Sequence, residues 1–130
     1  MARYALAYVI PGAAFVGLAL GDWWSWLAVV QSYVLFPFLD WMVPADPQNP
    51  DPADERALSS RLGYRLLTAS AVPIQIGLIV FGASVVTAPG ATMVEAIGGT
   101  LAVGVSSGAF GIVVAHELMH QRRGERWLSR

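Results

Sequence analysis

The fold turns on residues 4–43, "YALAYVIPGAAFVGLALGDWWSWLAVVQSYVLFPFLDWMV", which hold two apolar runs, 4–20 and 23–43, parted only by Gly21-Asp22. A helix rises about 1.5 Å per residue, so roughly 20 apolar residues cross the ~30 Å hydrocarbon core of a bilayer. Two such runs joined by a two-residue turn read as a transmembrane hairpin. A cleaved leader would instead need a small-x-small cleavage site after one short apolar core. None follows here, and the second run begins at once, so 4–20 is read as a span.

The pattern then repeats. A third run covers 66–87, "APG" at 88–90 turns the chain, and a fourth run covers 91–116. The hairpins are joined by loop 44–65, which opens with the polar stretch "PADPQNPDPADERALSSR". Within it Asp51-Pro52 fits an N-cap followed by proline at the first helical position, with Asp54 and Glu55 in the first turn. The expected fold is therefore all-α and integral to a membrane. It has four transmembrane helices in two hairpins, with a polar loop and short helix between them.

Composition agrees. Of 130 residues 55% are hydrophobic and 13% charged, about half the charged fraction of a soluble domain. Without cysteine there is neither a disulfide framework nor a thiolate metal site. A net charge of −1 gives no general attraction to nucleic acid. All eight basic residues are arginine, at 3, 56, 61, 65, 122, 123, 126 and 130. With four spans these fall on one side, and the short turns opposite carry none. The positive-inside rule then puts both termini and the central loop in the cytoplasm of a bacterial inner membrane.

Smaller features fill in this picture. Gly17 with Gly21, and Gly104 with Gly108, form G-x-x-x-G spacings of the kind that let membrane helices approach closely. Pro11 and Pro73 are expected to kink their helices. Trp23, Trp24 and Trp26 suit interfacial anchoring at one face, and Trp41 and Trp127 at the other.

The only two histidines, His116 and His120, close the fourth run in "HELMH". Four residues apart on a helix, both imidazoles face the same way and can reach one metal ion near the cytoplasmic edge of the bilayer. The same letters spell the H-E-x-x-H of zinc proteases, with Glu117 as general base. Glu117 could equally steady a ring tautomer from outside the metal's own ligands, or be a plain exposed carboxylate. A further reading leaves both rings as interfacial residues without a ligand. Of the acids near the bilayer, Asp40 and Glu95 are functional suspects close enough to water to be solvated, and Asp22 reads as a turn residue.

Beyond the histidines, the chain resembles the membrane di-iron alkane 1-monooxygenases of the fatty-acid-desaturase-like superfamily. That family shows an L-D-x-x-x-G-x-D-x-x-N-P stretch after its second span, matched by Leu39, Asp40, Asp46, Asn49 and Pro50. Pro44 stands where the family usually has glycine, and Ala45 where it usually has glutamate. Tyr64, Arg65, Leu67 and Thr68 match a Y-R-x-L-T segment entering the third span, and "HELMH" matches the first histidine box, with Gln121 in place of the usual lysine. The resemblance implies His116 and His120 as first-box iron ligands, with no role assigned to Asp40, Asp46, Asn49 or Pro50. It implies a di-iron centre on the cytoplasmic side, O₂ and a medium-chain alkane as substrates, and rubredoxin as electron donor.

It also implies two further histidine boxes and additional spans, which these 130 residues do not contain. The expectation is thus the N-terminal portion of a hydroxylase, inactive by itself. The alternatives are a related xylene-type or fatty-acyl di-iron oxygenase, a fragment of a membrane H-E-x-x-H zinc protease, and a small non-catalytic membrane protein. A protease needs a third ligand, and the only later candidate, Glu125, is too near in sequence for the usual separate-helix geometry.

Overall fold

The computed structural model describes residues 6–43 and 62–112. Every regular element among them is helical. A 3₁₀ turn at Leu6–Tyr8 leads into α1, Val9–Leu20. Pro11 falls in the first turn of α1, where a backbone amide has no partner within the helix, so the helix continues through it. Gly21 ends α1 with φ +71°, its N–H donating to the Gly17 carbonyl (3.1 Å). Asp22 follows at φ +48°, a left-handed conformation that short polar side chains tolerate better than most.

From there the chain is helical through Met42, but its winding changes. A 3₁₀ segment, Asp22–Trp26, passes into α2, Leu27–Val30, then a π-helical turn, Gln31–Leu35, then α3, Phe36–Met42. After the undescribed loop, α4 spans Leu62–Val86 with Pro73 inside it. A turn around Gly90 (φ +95°) leads to α5, Met93–Ser106, which runs directly into a second π-helical turn, Ser107–Gly111.

The four apolar runs do not become four equal helices. Two are long and apolar enough to cross a membrane, within Ala69–Val86 and Met93–Gly111. α1 has 12 residues, about 18 Å of rise, because it opens from a 3₁₀ turn and the left-handed Gly21 stops it. The run from Asp22 to Met42 is long enough, but it is divided by its 3₁₀ and π segments. The expected helix at Asp51-Pro52 and Trp127 lie outside the described residues.

The core is built from small side chains. Ala14 and Leu18 of α1, Ala28 of α2, Leu78 of α4 and Ala102 of α5 are buried together, with Phe81, Val86 and Val103 packed around them. Where α4 meets α5, a Cβ on Gly82 would press on Val103, and one on Gly99 would press on Val86 and Leu18. Close approach of this kind recovers dispersion energy that lipid-immersed helices cannot obtain from the hydrophobic effect. Phe15 of α1 lies against Phe81 of α4 with ring centroids 5.0 Å apart.

Candidate functional site

His116, Glu117 and His120 lie outside the described residues, as do Asp46, Asn49 and Pro50. Among the described residues no cluster of three or more His, Cys, Asp or Glu could hold a metal ion. Asp40 is described: it sits exposed on α3, next to Trp41, which is 82% exposed. The structure does show how the chain is held just before the histidine pair.

That support is polar, within an otherwise apolar bundle. Gln75, in the middle of α4, is 8% exposed. Its amide nitrogen donates to the Ser107 hydroxyl (2.8 Å), and its amide oxygen accepts from Ser106 (3.0 Å), which is fully buried. Ser107 in turn donates to the Val103 carbonyl (2.8 Å). A buried amide without partners would cost about 1–3 kcal/mol, so α5 must meet Gln75 in this register or lose that energy. Phe110, in the π turn, is buried with its ring edge-on to Tyr8 at 5.0 Å, and the Tyr8 hydroxyl shares a hydrogen bond with Ser70 (2.8 Å). Three helical segments thus converge around the turn that precedes His116. Reading the sequence missed Gln75. The signal was there, a lone amide within "AVPIQIGLIV" facing "SS" at 106–107.

Two open grooves border this region. The larger, of about 510 Å³, lies between α1 and α4, walled by Tyr8, Phe15, Ile74 and Leu78 over a floor that includes Gly12 and Gly77. The smaller, of about 300 Å³, runs beside Gln75 and Ser107. Both are mainly apolar.

At the opposite end the acid flagged as a functional suspect is a structural clamp. Thr92 caps α5 by accepting from the Glu95 N–H (3.2 Å), and the Thr92 N–H donates to Glu95 Oε2 (2.8 Å). The second oxygen, Oε1, accepts the Asp22 N–H (2.8 Å) and so joins the two hairpin turns. Thr92-x-x-Glu95 ahead of an apolar run is a capping box legible in sequence. Trp26 is half-buried rather than a free anchor, its indole N–H donating to the Val94 carbonyl (3.1 Å). Trp23 and Trp24 remain exposed.

Comparison with known proteins places this helical frame. Alkane 1-monooxygenase 2 of Pseudomonas aeruginosa is 34% identical over 120 residues, which cover 83% of this chain and 32% of that protein. Alkane 1-monooxygenase 1 of the same organism is 38% identical over 102 residues, 75% of this chain and 26% of that protein. Over most of its own length the chain is similar to the alkane 1-monooxygenases. Alkane 1-monooxygenase 2 of Alcanivorax borkumensis is 27% identical over 125 residues, covering 93% of this chain and 33% of the other. The chain therefore spans about a third of the length of the curated alkane 1-monooxygenases it matches. No family model and no solved structure matches it. Large apolar side chains are exposed along the described helices. None of these relatives carries the name of a peptidase.

Proposed function

We propose that the chain is the N-terminal portion of an alkane 1-monooxygenase that inserts one atom of O₂ at the terminal carbon of a medium-chain alkane. Homology to the alkane 1-monooxygenases over most of the chain, together with "HELMH" at its end, carries this reading. In it, His116 and His120 are iron ligands of the first histidine box. Imidazoles four positions apart in sequence suit a borderline transition metal, and Glu117 between them suits a carboxylate that orients a ring. Two histidines do not complete a two-iron centre, so the other ligands come from protein outside these 130 residues, and the 130 residues alone do not hydroxylate.

When bound, the iron pair supplies the activation of O₂. The chain's own residues do the rest of what is proposed here. The apolar helices admit an alkane that partitions into the bilayer. The arginines hold both termini and the central loop in the cytoplasm, in a four-span arrangement within the bacterial inner membrane. The ligands then lie at the water edge, within reach of a rubredoxin delivering electrons. Asp40, Asp46, Asn49 and Pro50 belong to the loop beside that edge and carry no assigned role.

The test is conversion of octane to 1-octanol by the full-length protein in membranes supplied with rubredoxin and its reductase. His116→Ala and His120→Ala should each abolish conversion and lower bound iron. About one zinc and no iron in the purified protein would overturn the reading. A reporter fused after Arg130 is expected in the cytoplasm.

A further inference from the structure

The π turn at Ser107–Gly111 is held by Gln75 and stands just ahead of the histidines, His116 lying five positions beyond Gly111. A π turn is an α-helix carrying one extra residue. At 3.6 residues per turn, that insertion rotates everything after it by roughly 100° relative to an uninterrupted helix. Gly98, Ala102, Ser106 and Phe110 are buried at a steady interval of four, so the inward face of α5 is carried across the junction into the π turn.

We propose that Gln75 is a positioning residue for the histidine pair. By accepting from Ser106 and donating to Ser107 it fixes where the π turn begins, and hence the direction in which the chain leaves Ile112 toward His116 and His120. Its two bonds straddle the junction between α5 and the π turn, so each is made to a different winding. Replacing the amide with an apolar group removes both side-chain hydrogen bonds from Gln75 to this junction, while Gly108 and Gly111 leave the backbone free to rewind as α-helix. The metal-binding consequence rests on the proposed function; the hold of Gln75 on the turn does not.

The experiment uses the full-length protein in its membrane, with native cysteines removed and nitroxide labels on Ile76→Cys and Ile112→Cys, two residues that line the same groove. Gln75→Met, of similar size, should shift or broaden the label distance by an amount on the order of 8 Å, the chord of a 100° turn at a side-chain radius of ~5 Å. Ser106→Ala combined with Ser107→Ala should do the same from the other partner. Leu78→Ala, a core cavity on the same helix, should lower the melting temperature but leave the distance unchanged. Iron per folded protein and octane turnover should fall with Gln75→Met, turnover by up to about 100-fold, whereas Leu78→Ala should leave iron per folded protein near wild type. An unchanged label distance in Gln75→Met overturns the inference, as does a shift equal to that of Leu78→Ala. Absence of iron from the wild-type protein, with the label shift intact, would count against the proposed function alone.

Discussion

The end of the bundle at Gly21 and Glu95 and the helix α3 are similarly apolar in sequence and opposite in packing. At the first, Gly17 lies under the Trp24 carbonyl, Gly98 lies under Ser25 and the Trp26 ring, and a carboxylate ties two turns together. In α3, none of Phe36–Met42 is buried. The difference lies in small residues. Where Gly and Ala recur at contact positions the backbones meet, and where small residues are lacking, as in α3, the helix has no partner among the described residues. In a membrane, apolarity distinguishes neither case, because lipid satisfies Phe38 and Trp41 as well as a neighbouring helix would.

Gly17→Ala should break the packed end most. The new methyl meets the backbone oxygen of Trp24 and the Leu27 Cβ, neither of which can swing aside as a long side chain would. A cost of about 3 kcal/mol is expected, read as the largest fall in melting temperature among single variants at this end. Gly98→Ala follows at about 2 kcal/mol, since the Trp26 ring can tilt away at the expense of its bond to Val94. Trp26→Phe isolates that bond. It keeps most of the packing and removes one donor, for about 1 kcal/mol. A Trp26→Phe loss equal to that of Gly17→Ala would mean that the hydrogen bond, and not close approach, holds this end.

Glu95→Gln should cost less again. Water reaches this carboxylate and can take over the amides of Asp22 and Thr92, one of which loses an acceptor when an NH₂ replaces an oxygen. Thermal unfolding should show a small drop, and Thr92→Ala a similar one through the lost cap.

The sequence was a good guide to the helical hairpins and a poor one to their packing. Turns at Gly21-Asp22 and around Gly90 are legible because glycine and a short acid interrupt apolar runs, and Asp22 does sit in a turn conformation. G-x-x-x-G spacing misled in half of its instances. Gly17 packs and makes the tightest approach of all, but Gly104 and Gly108 meet nothing among the described residues, and the other tight helix contacts fall at Gly82, Gly98 and Gly99, outside any such spacing. Spacing along one helix does not say which face meets a neighbour. That depends on crossing angles set by the whole bundle. The winding of 22–42 was illegible for a similar reason, because 3₁₀, α and π turns differ by less energy than packing supplies. Of the proposed site, the histidine pair rests on its letters alone and lies outside the described residues. The Gln75 support needed two helices to be brought together before its partners could be named.

The smallest effect is the most informative about α3. Phe38→Ala and Trp41→Ala remove large exposed side chains whose ring centroids lie 6.2 Å apart. In the 130-residue chain each should change stability by less than about 0.5 kcal/mol, as expected of exposed positions. The same substitutions in the full-length protein compare lipid with protein as the neighbour of this face. Losses that stay below about 0.5 kcal/mol mean that lipid covers α3. Losses of about 3 kcal/mol or more, the cost of truncating a buried aromatic, mean that protein outside the described helices packs on it. Asp40 would then lie between two protein surfaces instead of at a lipid boundary. Measuring Phe38→Ala in both lengths, under one detergent and by the same unfolding signal, decides between the two.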